Sequence, residues 1–146
     1  MRVSTKGRYA LRLMVELAKH PQQHISLRSI SEKQQISQKY LEQIIMILVR
    51  SGFVLSTRGP QGGYQLAMPP EEITAGMIIR SMEGSLAPVA CLECGVSTCD
   101  RAADCKTLPM WGKLNNIINQ YLDHITLDDL IHNTIEERLK NKDWLK

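Results

Sequence analysis

Apolar residues recur along this chain at helical spacing, broken by short runs of polar residues. Ala10, Leu13, Met14 and Leu17 lie three and four residues apart and predict a first helix over about residues 5–19, with Pro21 just beyond its end. Ser26 is placed to cap a short second helix carrying Leu27 and Ile30. Ser37 caps a third, on which Leu41, Ile44, Ile45 and Leu48 form a buried stripe and after which Gly52 serves as the stop. Two short apolar strands follow, residues 53–57 and 64–66, around Arg58-Gly59-Pro60-Gln61-Gly62-Gly63. Three glycines and a proline in those six residues predict a hairpin loop of more than two residues.

Beyond Pro69-Pro70, Thr74 can cap a helix over about residues 75–83 that Gly84 ends. Residues 84–107 carry little apolar content and read as a loop that would be poorly ordered without a ligand. A long helix over about residues 108–125 follows, with Pro109 tolerated in its first turn. On it Trp111, Leu114, Ile118, Tyr121 and Ile125 are spaced 3, 4, 3, 4, a seam of about two heptads that predicts a homodimer interface, the alternative being packing within the chain. Thr126-Leu127-Asp128-Asp129 is a capping box opening a last short helix, and a polar tail ends at Lys146.

Helix, two helices joined by a short polar turn, then a Gly-rich hairpin is the order of a winged helix-turn-helix. The expected fold is therefore mainly α. It comprises a winged helix-turn-helix DNA-binding domain over residues 1–70, a connecting helix and cysteine-bearing loop over 71–107, and a dimerisation helix with a C-terminal helix and tail over 108–146.

Charge sharpens this reading. The net charge of +3 hides ten Lys or Arg against three acids in residues 1–70, a balance of +7, and eight against twelve in the remainder, a balance of −4. A basic first half is suited to a polyanion such as double-stranded DNA. In a winged helix-turn-helix the third helix enters the major groove. Its polar face offers Ser37, Gln38, Lys39, Tyr40, Glu42 and Gln43. Gln can bond adenine in a bidentate way, Glu can accept from cytosine N4, and Ser, Tyr and Lys can serve phosphates. Arg58 at the wing tip is placed for a narrow minor groove or a phosphate, and Gly62 and Gly63 let the backbone approach closely. Lys6 and Arg8 add phosphate-binding charge at the start of the first helix.

With 43% hydrophobic and 23% charged residues the chain has the composition of a folded domain. No apolar run approaches the roughly 18 residues of a membrane span, and the basic first residues lead into an amphipathic stretch and not a signal-peptide block. The expected location is cytoplasmic. No Gly-rich phosphate loop, metal-hydrolase His pair or Ser nucleophile motif is present, which speaks against an enzyme and against a small-molecule substrate.

All four cysteines, Cys91, Cys94, Cys99 and Cys105, fall within fifteen residues. Such a cluster in a reducing cytosol points to a metal or redox site. Thiolates suit an iron–sulfur cluster, zinc or copper(I). Structural zinc sites favour two tight pairs and only Cys91 and Cys94 form one; a regulatory dithiol stays open as well. His20, His24, His124 and His132 lie outside the cluster and read as surface histidines.

Met1-Arg2-Val3-Ser4-Thr5-Lys6-Gly7-Arg8-Tyr9-Ala10-Leu11, Ile36-Ser37-Gln38-Lys39-Tyr40-Leu41-Glu42-Gln43 and Arg58-Gly59-Pro60-Gln61-Gly62-Gly63-Tyr64 resemble the bacterial winged-helix regulators that include IscR, NsrR and CymR. The resemblance continues through Ile73-Thr74-Ala75-Gly76 and Met82-Glu83-Gly84 to about residue 130. It implies DNA contacts from Tyr40, Glu42 and Arg58, and a homodimer joined through the long helix on a two-fold related operator. It further implies a [2Fe–2S] cluster on Cys91, Cys99 and Cys105. IscR-like members complete their ligand set with a histidine three residues past the last cysteine, where this chain has Leu108; NsrR-like members use an Asp near the N-terminus, where it has Arg8. Cys94 is then the candidate fourth ligand. The function implied is a repressor of cluster-assembly genes that senses iron–sulfur status. The neighbouring alternatives are a nitric-oxide sensor, a thiol-redox or cysteine-metabolism regulator of the same fold, and an iron–sulfur or zinc-binding interaction protein. CymR-like relatives lack this cysteine set.

Overall fold

A computed structural model describes residues 2–94 and 99–140. Its helices are α1 (Thr5–Ala18), α2 (Leu27–Gln34), α3 (Gln38–Arg50), α4 (Ala75–Glu83), α5 (Leu108–His124), α6 (Leu127–His132) and α7 (Ile135–Lys140). Strands β1 (Val54–Thr57) and β2 (Gly63–Leu66) stand between α3 and α4, and single 3₁₀ turns lie at Pro70–Glu72, Ala90–Leu92 and Ala102–Asp104.

The helix starts are set by side-chain caps. Ser4, Ser26, Ser37, Thr74 and Thr126 accept hydrogen bonds from the backbone N–H groups of Gly7, Ser29, Tyr40, Met77 and Asp129. Each satisfies a donor that has no partner inside its helix. Strands β1 and β2 pair antiparallel, Val54 with Leu66 through Thr57 with Gly63. Ile25, just before α2, adds a bridge to β2, its N–H and carbonyl both bonded to Tyr64 at 2.9 Å. The wing is therefore fixed to the start of α2.

The predicted stripes meet in one core. Leu13, Met14 and Leu17 of α1, Ile30 of α2, Leu41, Ile44, Ile45 and Leu48 of α3 and Val54 of β1 are buried together. Ile73, Ile78, Met82 and Leu127 join the same cluster, so the core runs past residue 70 into α4 and the start of α6. Arg80 donates to Asn119 Oδ1 at 3.0 Å and to the Asp123 carboxylate, clamping α4 to α5.

Two expectations need correction. The periodic seam does not reach Ile125: α5 ends at His124, and Ile125 is its extended C-cap, 3% exposed, with its carbonyl accepting from Ala75 N–H at 2.8 Å. Ile125 is thus filled in by its own chain and is no part of an outward dimer face. The polar tail is in part helical, because α7 places Glu136 and Glu137 in its first turn and Arg138 and Lys140 in its last, complementing the helix dipole. The loop read over residues 84–107 contains two 3₁₀ turns; residues 95–98 of it, and the tail beyond Lys140, lie outside the described residues. Among the described residues no helix is long and apolar enough to cross a membrane.

Candidate nucleic-acid interface and cysteine loop

The turn between α2 and α3 is made by Gln35 in the left-handed region (φ 53°) and by Ser31 Oγ donating to the Ile36 carbonyl at 2.6 Å. With Leu41, Ile44, Ile45 and Leu48 turned into the core, Gln38, Lys39, Glu42 and Gln43 remain exposed on α3. Tyr40 is only half-buried, not free: its ring meets Tyr9 of α1 edge-on, centroids 5.6 Å apart, while the Arg12 guanidinium lies 5.3 Å over the Tyr9 ring. The same tyrosine thus ties the third helix to the first.

Glycine shapes the wing from within. A Cβ on Gly62 would lie 2.1 Å from the Thr57 carbonyl oxygen. One on Gly63, whose φ is +141°, would press on the Ile25 backbone at 2.9 Å. Both contacts are internal to the chain, so the residues needed for the hairpin to close are the ones expected to let DNA approach. Arg58 is exposed at the wing loop.

An open groove of about 700 Å³ runs between the start of α2, the exposed face of α3 and the wing. Gln38, Glu42, Arg58, Gly62 and Gly63 line it together. Lys6, Arg8, Lys39, Tyr40 and Gln43 do not; Lys6 and Arg8 lie on the first turns of α1, where Arg8 donates to Thr5 Oγ1 at 3.1 Å. Arg28 lines the same groove from α2 and was not singled out by the sequence pattern. Beside the wing, His24 Nε2 is 3.3 Å from Thr57 Oγ1.

The cysteine loop leaves α4 at Gly84 and enters α5 at Leu108. Glu83, the last residue of α4, accepts from Ser4 N–H at 3.0 Å and from the Ser4 hydroxyl, so the end of α4 holds the cap of α1. All four cysteines are free; Cys91 and Cys105 are half-buried, Cys94 and Cys99 exposed. The Thr107 hydroxyl, 3.4 Å from Cys105 Sγ, holds the thiol below its ordinary range, helped by the backbone N–H groups of Thr107 and Leu108 and by the Arg101 charge against a small opposing effect of burial. Among the described residues no three Cys, His, Asp or Glu side chains gather closely enough to hold a metal ion. Four free thiols, one of them biased toward thiolate, are the right donors for a soft-metal group. Their described positions do not converge on one point.

Helix α5 buries none of its residues in this chain. Met110, Leu114 and Tyr121 are exposed, and Trp111 and Ile118 half-buried. Met110, beside Trp111 and four residues before Leu114, borders the predicted seam.

The chain matches the family described as "Rrf2: Iron-dependent Transcriptional regulator" over residues 3–133. It is 40% identical over 134 residues to the HTH-type transcriptional regulator IscR of Pectobacterium atrosepticum, covering 91% of this chain and 80% of that protein. The solved structure of CymR, the global cysteine regulator of B. subtilis, superposes with a TM-score of 0.76 at 40% identity, covering 92% of this chain and 98% of the other. That of T. potens IscR gives 0.73 at 39% identity, covering 97% and 93%. Similarity of this extent covers the wing, the third helix and the long helix alike. The chain belongs to the Rrf2 family of winged-helix DNA-binding transcription regulators, whose members are not enzymes.

Proposed function

We propose that this protein binds a two-fold related DNA operator as a homodimer and takes its signal at the cysteine loop, as an iron–sulfur-sensing regulator of cluster-assembly genes. The observation that carries the DNA-binding part is the groove in which α3 presents Gln38 and Glu42 beside the wing's Arg58. Glu42 accepts from a cytosine amino group, Gln38 and Gln43 bond adenine, and Arg58 takes a phosphate or the minor groove. Lys6, Arg8, Ser37, Lys39 and Tyr40 supply backbone contacts. The dimer reading is supported by α5, whose 17 residues span ~26 Å and carry Met110 and Leu114 outward with nothing of the helix buried in its own chain.

Cys91, Cys99 and Cys105 would hold the cluster, with Cys94 as the fourth ligand in place of the histidine that Leu108 replaces. A cluster held there would make the state of the loop depend on iron, sulfide and oxidant supply. The chain's own residues do the rest. Thr107 and the start of α5 favour the Cys105 thiolate. Glu83, immediately before the loop, passes a displacement of the loop to Ser4 and the first turn of α1, where Lys6 and Arg8 sit. A signal acts in this way only by favouring one arrangement of the dimer over another.

A thiol-redox switch is the second reading, favoured by four free and ungathered cysteines, two of them exposed. Purification without oxygen, followed by assay of iron, acid-labile sulfide and zinc per chain with a visible spectrum, separates the two. Iron with matching sulfide and broad visible bands supports cluster sensing. Absence of metal with titratable thiols overturns it in favour of the switch, and zinc overturns both in favour of a structural site.

A further inference from the structure

Arg28 is exposed at the start of the helix-turn-helix. It is the second residue of α2, and the first turn of that helix carries no acid. A cation there opposes the helix dipole, which favours anions at an N-terminus. Its partner is Glu32 one turn later, at 3.1 Å, in a pair whose side chains are 79% and 67% exposed. A pair so open to water is held weakly, and Arg ahead of Glu is the less favourable order along a helix. Yet the side chain lines the groove shared by Gln38, Glu42 and Arg58, on the α2 wall facing the wing. The two backbone hydrogen bonds between Ile25 and Tyr64 join that wall to the wing.

We propose that Arg28 is a DNA phosphate-binding residue. On association it exchanges Glu32 for a backbone phosphate oxygen, so that Arg28 and Arg58 grip the duplex from the two walls of the groove while α3 enters between them. The first helix of a helix-turn-helix crosses the DNA backbone, which makes a phosphate, and not a base edge, the partner expected at the start of α2. The inference rests on the DNA-binding reading and adds to it a residue outside the third helix and the wing.

The test uses the full-length protein and two duplexes of equal length, one selected by the wild type from a random library and one of mixed sequence. Fluorescence anisotropy gives the affinity for each across a series of salt concentrations. Arg28→Ala should weaken both by about tenfold at fixed salt, since a charge-assisted bond is lost. The slope of log K against log salt should become shallower by about 0.9, one phosphate's share. Arg28→Lys should keep most of the slope, and Glu32→Gln should bind as tightly as the wild type or more tightly. An unchanged slope in Arg28→Ala, a loss confined to the selected duplex, or a Glu32→Gln variant as weak as Arg28→Ala overturns the assignment. The last outcome would mean that the Arg28–Glu32 pair matters only for the shape of α2. A wild type that binds neither duplex would remove the DNA-binding reading itself, a result distinct from any of these.

Discussion

Glu16 is a carboxylate sealed inside the helix-turn-helix, and replacing it with glutamine tests how α2 is held against α1. Its side chain is 6% exposed, and Oε1 accepts from Lys19 Nζ and from Gln34 Nε2, each at 2.7 Å. Lys33 Nζ lies 4.0 Å from Oε2. Gln34 and Lys33 belong to α2, so one carboxylate joins the two helices. Burial pushes its pKa up, but the hydrogen bonds from Lys19 and Gln34 and the charges of Lys19 and Lys33 outweigh that, and the net pKa lies below 4.5. Glutamine keeps the volume and one acceptor oxygen but loses the charge, so the Gln34 bond becomes neutral and the Lys19 ion pair becomes a bond to an uncharged acceptor, at a cost of about 1 kcal/mol each. Both lysines are about half exposed, so water screens part of the attraction and the expected loss is about 1–2 kcal/mol. Since the folded pKa is depressed, this stabilisation is complete above pH 4.5 and is lost as the pH falls through the folded value. Urea unfolding at fixed protein concentration should therefore show the gap between wild type and Glu16→Gln at pH 7, the same gap at pH 6, and its closure in acid. No gap at neutral pH, or one that survives unchanged after Glu16 is protonated, refutes the reasoning.

Three further outcomes are expected. Glu42→Ala should change preference at one or two base pairs by about 1–3 kcal/mol in competition between duplexes, and a uniform loss across sequences would mean that Glu42 reads no base. Gly62→Ala drives a Cβ to 2.1 Å from the Thr57 carbonyl, so the wing must open; stability should fall by about 1–3 kcal/mol and DNA affinity with it, and an unchanged urea midpoint would contradict the close approach. Leu114→Asp puts a charge on the outward face of α5 and should give a monomer by sedimentation with helical circular dichroism retained; a persisting dimer would locate the interface elsewhere.

Helix positions were legible because stripe and cap agree: Ser26, Ser37, Thr74 and Thr126 each precede an apolar repeat, and each caps in the structure. The hairpin followed from its glycines, though their close contacts with Thr57 and Ile25 depend on strand pairing that no local pattern encodes. Ile125 kept the helical period beyond the helix because burial against α4 gives the same apolar signal as a seam. The capping box beginning at Thr126 was the available sign that α5 had already ended. Nothing in the local sequence marks Glu16 as buried, since its partner Gln34 lies 18 residues along the chain. Arg28 escaped for a similar reason: it reaches the groove only once Ile25 and Tyr64 have joined the start of α2 to the wing. The cysteines stood out by proximity in sequence, and that proximity does not carry over to a gathered ligand set among the described side chains.

The central claim is that the cysteine loop controls DNA binding. The most direct measurement compares the wild type, as purified anaerobically and again after oxidation, with a variant in which Cys91, Cys99 and Cys105 are all serine, each titrated against a duplex selected by the wild type. Serine can neither ligate a soft metal as thiolate does nor form a disulfide, so the variant holds the loop in one state under either chemistry. The account predicts affinities that differ by about tenfold or more, the usual range of a coupling between two sites. Equal affinities at every salt concentration would leave a DNA-binding protein whose cysteines do not govern it, and would contradict the account.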